Sequence, residues 1–160
     1  AALAAADHEP DPTQVLDRCR MGIEDMHVFL NKWFNAESAR EAEAMAQFSE
    51  LLDDSFHMIT AAGARLDADG LRRLVDCAHG CTQTQSSFTI RIQDVQLMQV
   101  LRSRPCSYLV TYEEWTFEDR PDTTTAKKLC TVLLRDDPDS EAAGGQGLRW
   151  LHVHEVTLPA

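Results

Sequence analysis

Near its C-terminus the chain reads Gly147-Leu-Arg-Trp-Leu-His-Val-His-Glu-Val-Thr-Leu158, between a leading glycine and a following proline. Side chains on a β-strand alternate between two faces, so strict alternation places Trp150, His152 and His154 together on one face. An aromatic ring beside two imidazoles suits the wall of a pocket. The stretch therefore predicts a cavity-lining strand, with these three residues as candidates for binding a ligand.

Upstream of this strand, apolar residues recur at spacings of three and four from Thr13 onward, the pattern of an amphipathic helix. Asp11 or Thr13 can cap that helix, and Trp33 ends its apolar stripe as a predicted core residue. The stripe consists of Val15, Cys19, Ile23, Met26, Leu30 and Trp33. The predicted order is helix 13–35, helix 38–52, strand 55–60, a helix from Asp67 or Asp69 to about Gly80, then strands from 88, 107, 127 and 147.

The predicted strands indicate a curved sheet. Ile90 and Ile92 have one parity, whereas Val95 and Leu97 have the other. Such a switch predicts a β-bulge near Gln93–Asp94, and a bulge bends a sheet. Helices followed by long antiparallel strands indicate the α+β class, with a curved antiparallel or mixed sheet wrapped on helices.

Length and composition predict one domain over residues 13–158, preceded by a loose tail over residues 1–12. The formal net charge is −11, which argues against binding to nucleic acid or to an anionic membrane surface. No stretch reaches the roughly 18 apolar residues of a membrane helix. The alanine-rich opening is too short for a signal-peptide core, and five cysteines are an odd number, so we expect reduced thiols and a cytoplasmic location.

Several separate segments resemble the nuclear-transport-factor-2-like superfamily, also called the SnoaL-like or cystatin-like cone, and in particular its bacterial branch. They are His27-Val-Phe-Leu-Asn-Lys-Trp-Phe-Asn35, Ser55-Phe-His-Met-Ile-Thr60 with Gly63, Ala78-His-Gly80, Val110-Thr-Tyr-Glu-Glu-Trp115 and Leu148-Arg-Trp-Leu-His-Val-His154. The resemblance covers residues 13–158. It implies a cone-shaped fold, a pocket between the concave sheet and the helices, and a homodimer formed through the sheet. Superfamilies of this kind host many functions, so it does not name one.

Within the expected pocket, the candidate ligand-binding residues are His27, Met58, Tyr112, Glu114, Trp150, His152 and His154. Tyr112 and Glu114 share one strand face, and a carboxylate enclosed by aromatic rings could act as a general acid or base. His152 and His154 are close enough to share a metal ion, but no third ligand can be placed, so neither a metal nor a cofactor is predicted.

Other motifs carry less information. Cys77-x-x-x-Cys81 lacks a second ligand pair at zinc-site spacing and is interpreted as a helix end. Neither a Gly-x-Ser-x-Gly nucleophile elbow nor a phosphate-binding glycine loop is present. The leading interpretation is a protein that binds a small apolar or amphipathic molecule. The alternatives are a cofactor-independent isomerase, dehydratase or cyclase with a carboxylate or histidine base, and a homo-oligomerisation module.

Overall fold

The computed structural model describes residues 9–82, 88–119, 124–140 and 146–159. The predicted tail at residues 1–12 therefore lies mostly outside the described residues. The helices are α1 (Pro12–Phe34), α2 (Ala42–Glu50) and α3 (Ala68–Cys77). The strands are β1 (Leu52–Ile59), β2 (Arg65–Asp67), β3 (Phe88–Leu101), β4 (Ser107–Glu118), β5 (Thr124–Asp136) and β6 (Leu148–Thr157).

Helix α1 begins where the sequence places a cap. The Asp11 side chain accepts a hydrogen bond of 2.9 Å from the Thr13 amide, and Pro12 occupies the first turn, where its missing N–H costs nothing. The predicted apolar stripe faces the core, and Trp33 is fully buried. Asn31 joins α1 to β3 through two hydrogen bonds to the backbone of Ile90, of 2.9 and 2.8 Å. These contacts hold the helix across the sheet.

The second helix is shorter than the predicted span of 38–52. Its first turn has no side-chain cap, because Glu41 stands at the N-cap position and makes no capping hydrogen bond. Helix α3 does begin at a predicted cap, where the Asp67 side chain accepts a hydrogen bond of 2.7 Å from the Gly70 amide. It ends at Cys77, three residues before Gly80. The last two helices therefore differ from their predicted spans at their ends, where periodicity is least informative.

The six strands form one mixed sheet in the order β2-β1-β6-β5-β4-β3. Strands β1 and β6 are parallel, and every other neighbouring pair is antiparallel. The β3–β4 register shifts between Gln93 and Gln96, where Asp94 has a φ of 50°. The predicted bulge is therefore confirmed, as is the α+β class. The bend turns the sheet around α1 and leaves a concave face against the helices.

A second irregularity lies in β6. Leu134 pairs with Trp150 and Leu133 with His152, so Leu151 is an extra residue opposite two consecutive residues of β5. A bulge of one residue reverses the faces of all side chains beyond it. Trp150 and Val153 are accordingly buried, whereas His154 is exposed. The expected common face of Trp150, His152 and His154 is therefore wrong.

No helix within the described ranges is long and apolar enough to span a membrane. All five cysteines are free: Cys19 and Cys130 are buried, Cys106 is half-buried, and Cys77 and Cys81 are exposed. Cys77 is the last residue of α3, which agrees with the helix-end interpretation of the Cys77–Cys81 motif.

Candidate functional site

A cavity of about 500 Å³ lies between the concave face of the sheet and helices α1 and α3. Most of its wall is aromatic or aliphatic. The apolar lining includes Leu30, Phe34, Phe48, Phe56, Val75 and Trp150. Leu74 also lines the cavity while 55% exposed, which puts it at the mouth. A volume of this size falls within the roughly 300–1,000 Å³ typical of small-molecule sites.

Five of the seven candidate residues line this cavity, namely His27, Met58, Tyr112, Glu114 and Trp150. They come from four elements, α1, β1, β4 and β6. The remaining two, His152 and His154, do not line it. The Leu151 bulge directs them to the opposite face of the sheet, where His152 pairs with His57 of β1.

The cavity has one polar end, and its first component is a pair formed by His27 and Glu114. His27 Nδ1 lies 2.8 Å from the Ile23 carbonyl oxygen, which can only accept, so Nδ1 carries a hydrogen. His27 Nε2 lies 3.2 Å from Glu114 Oε2. A hydrogen bond between these two atoms needs one further proton, held on the imidazole or on the carboxyl group. The pair is therefore a buried imidazole and carboxyl group within hydrogen-bond distance of each other.

Lys128 and Glu155 complete the polar end. Lys128 Nζ donates a hydrogen bond of 2.9 Å to Glu155 Oε2 and lies 3.8 Å from Glu114 Oε1. Both residues line the cavity, and Glu155 is only 8% exposed. One imidazole, two carboxylates and one ammonium thus form a continuous polar network in a mostly apolar cavity.

This network changes the acidity of its members. Burial opposes ionisation of Glu114, but the hydrogen bond and charge of His27, followed by the charge of Lys128, outweigh it and lower the pKa of that carboxyl. Burial also opposes the charge on Lys128, and the carboxylates of Glu114 and Glu155 outweigh it, so the pKa of the ammonium is raised. Both groups are therefore ionised at neutral pH.

Tyr112, which lines the cavity, and the fully buried Cys130 lie next to the network and remain neutral. The Tyr112 ring meets the His27 ring edge-on, with 5.6 Å between centroids. Burial, reinforced by nearby Cys130 and Glu114, raises the pKa of Tyr112 well above its usual value. Burial, followed by the charges of Glu114 and Glu155, raises the pKa of the Cys130 thiol to about 12. A protonated, enclosed thiol is not a nucleophile.

The ligand atoms of Glu114, Cys130 and Glu155 lie within 4.8 Å of one another, a grouping that could in principle hold a metal ion. The Lys128 ammonium already supplies positive charge between the two carboxylates. The raised pKa of Cys130 also disfavours the thiolate that a metal requires. The grouping is therefore better suited to its own lysine than to a metal.

Sequence reasoning did not find Lys128 or Glu155. Lys128 has the same strand parity as three buried residues of β5, Cys130, Val132 and Leu134. The sequence pattern could therefore have indicated a cation on the apolar face of this strand. Glu155 faces the cavity only because the bulge at Leu151 reverses the alternation of the residues that follow it. The apolar residues Trp150 and Val153 have opposite parity in the sequence. This switch could have predicted the bulge, as the similar switch near Asp94 did.

No profile of a known protein family and no functionally curated protein sequence matches this chain. Solved structures do. An NTF-2-like protein of unknown function from Pseudomonas aeruginosa is 22% identical, with a TM-score of 0.71 over 89% of this chain and 99% of that chain. A candidate dehydratase of the NTF2-like family from Streptomyces avermitilis is 13% identical, with a TM-score of 0.63 over 94% of this chain and 100% of that chain.

A third similar structure is a hexachlorocyclohexane dehydrochlorinase from Novosphingobium barchaimii. It is 7% identical, with a TM-score of 0.55 over 91% of each chain. At these identities the likeness concerns the fold. The resemblance predicted from the sequence is confirmed at that level: the chain has the nuclear-transport-factor-2-like cone fold.

Proposed function

We propose that this protein binds a small, mostly apolar molecule in the cavity, with the polar group of that molecule at the His27–Glu114–Lys128–Glu155 end. The observation that carries the proposal is the cavity itself, about 500 Å³ with apolar walls and one charged end. An apolar pocket with a few convergent polar groups is the usual form of a ligand site. The walls would supply affinity, and the polar end would orient the ligand.

Reducing the free volume of the cavity should weaken binding. Ala78 lines the cavity, so Ala78→Phe places a ring inside it. We expect this variant to bind the neutral fluorescent probe N-phenyl-1-naphthylamine at least about tenfold more weakly than the parent protein. Fluorescence titration measures the affinity, and native mass spectrometry of the protein as purified reports any molecule already retained.

Ala46→Phe is the matched control, since Ala46 is exposed on α2 and makes no part of the cavity wall. It should bind the probe like the parent. Equal affinities in the parent and in both variants would show that the probe binds elsewhere and would count against the proposal.

A second candidate is proton-transfer catalysis, as in a cofactor-independent isomerase, dehydratase or cyclase. The buried His27–Glu114 pair favours it, because a positioned acid and base in an apolar cavity are the components of general acid–base catalysis. Two of the similar structures bear the names of a candidate dehydratase and a dehydrochlorinase. The lowered pKa of Glu114 makes this carboxylate a weak base. We therefore rank ligand binding first, and we expect catalysis only with substrates whose C–H groups are acidic.

We also propose a reducing, cytoplasmic location, which the unpaired state of all five cysteines supports.

We further propose a homodimer formed through the outer face of the sheet. The paired residues Leu129 and Val156 are 38% and 50% exposed on the outer face, with Leu109 and Leu133 paired nearby. A second copy would cover this apolar patch. In this interpretation the sheet is also an oligomerisation surface.

A charge placed in the patch should dissociate the dimer. We expect Leu129→Glu to sediment as a monomer under conditions where the parent sediments as a dimer, because two buried carboxylates would face each other across the interface. Met21→Glu is the control, since Met21 is 50% exposed on α1 rather than on the sheet. A monomeric parent at tens of micromolar, roughly the range of a weak homodimer, would contradict the proposal.

A further inference from the structure

The two carboxylates at the polar end of the cavity already have partners within the network. Glu114 and Glu155 provide two carboxylates. Lys128 provides one ammonium, which lies against Glu155, and the His27 imidazole lies within hydrogen-bond distance of Glu114. Neither carboxylate therefore depends on a cationic ligand for a partner.

The same network leaves both a donor and an acceptor available. The Lys128 ammonium has three N–H groups and, among the described residues, one hydrogen bond, that to Glu155. Its 3.8 Å separation from Glu114 Oε1 is too long for a hydrogen bond. Among the described residues the Glu155 carboxylate accepts one hydrogen bond, from Lys128 to Oε2, which leaves Oε1 available as an acceptor. Both residues line the cavity, so a ligand can reach these atoms.

We propose, resting on the cavity function above, that the site selects an uncharged molecule whose polar end both donates and accepts hydrogen bonds, such as an amide or an alcohol, and rejects the corresponding carboxylate. Lys128 and Glu155 are its specificity-determining residues. Lys128 donates to the ligand oxygen, and Glu155 accepts from the ligand N–H or O–H.

The discrimination follows from the charges already present. A ligand carboxylate beside Lys128 would be a third negative charge next to the largely buried carboxylates of Glu114 and Glu155, and like charges repel more strongly inside a protein than in bulk water. It would also leave Glu155 facing an acceptor instead of a donor. A ligand ammonium would have to compete with Lys128 for the same carboxylates. A neutral amide meets neither difficulty.

Two probes of nearly identical shape test this inference: 2-naphthamide, which is neutral, and 2-naphthoate, which is ionised at neutral pH. We expect the parent protein to bind 2-naphthamide at least about tenfold more tightly than 2-naphthoate, as measured by calorimetry. Glu155→Gln removes one negative charge and keeps the shape of the side chain. In this variant the affinity for 2-naphthoate should increase at least about tenfold, while the affinity for 2-naphthamide should change little. Continued binding of 2-naphthamide also shows that the variant is folded.

Equal binding of the two probes by the parent overturns the charge selectivity while leaving the cavity function in place. An unchanged preference in Glu155→Gln overturns the role of Glu155. If neither probe binds the parent, the proposed function is wrong and this inference falls with it.

Discussion

Replacing Trp33 with alanine is expected to lower the free energy of unfolding by about 3–5 kcal/mol. Trp33 is fully buried, and its indole Nε1 donates a hydrogen bond of 2.7 Å to the Val75 carbonyl of α3. Its ring stacks on Phe29 and meets His79 edge-on, with centroids at 5.6 and 4.5 Å. The substitution would leave a cavity between α1 and α3 and remove the indole hydrogen bond to Val75. Urea denaturation followed by circular dichroism measures the change.

Val28→Ala is the control, because Val28 lies on the same helix but is 50% exposed. Surface substitutions of this kind usually change stability by about 0.5 kcal/mol or less. If Trp33→Ala and Val28→Ala unfold at the same urea concentration as the parent, the packing of α1 against α3 described above is incorrect.

The second large effect concerns the candidate chemistry of the His27–Glu114 pair. If the pair transfers protons, the parent protein should accelerate exchange of the acidic α-protons of 2-tetralone in D₂O, followed by NMR. Glu114→Gln should then reduce that acceleration by roughly 10²–10⁴-fold, the usual contribution of a positioned acid or base. The amide keeps the shape of the side chain but cannot accept the proton.

His152→Ala is the matched control, because His152 lies on the outer face of the sheet and should leave the exchange rate unchanged. A parent protein no faster than buffer would eliminate proton transfer to this probe and leave binding alone. Equal acceleration by Glu114→Gln would assign the base to another group. Loss of exchange in His152→Ala would show that the face assigned to β6 is wrong.

Much of the fold could be read from the sequence, because it depends on local signals. The spacing of Val15, Cys19 and Ile23 determines which face of α1 is buried, and Asp11 caps that helix through a contact two residues away. The parity switch before Val95 places the bulge of β3. For Tyr112 and Glu114 simple alternation was sufficient, since no irregularity separates them. These features need only neighbouring residues.

The polar end of the cavity was decided by tertiary structure. The pairing of β6 with β5 skips Leu151, and this one residue exchanges His152 and His154 for Val153 and Glu155 on the cavity face. The apolar spacing from Trp150 to Val153 permitted that bulge, but the two histidines offered an equally regular alternation. The register between β5 and β6 decides between strict alternation and a bulge at Leu151, because only the bulge buries Val153 in the core.

The charged network also required contacts between distant residues. His27, Glu114, Lys128 and Glu155 belong to α1, β4, β5 and β6, and 87 positions separate the first two. The sequence marks His27 and Glu114 as candidates and Lys128 as a cation on an apolar face, but it does not bring the four residues together. Only the folded chain brings the four side chains together at one cavity, which is the physical basis for the ligand selectivity proposed here.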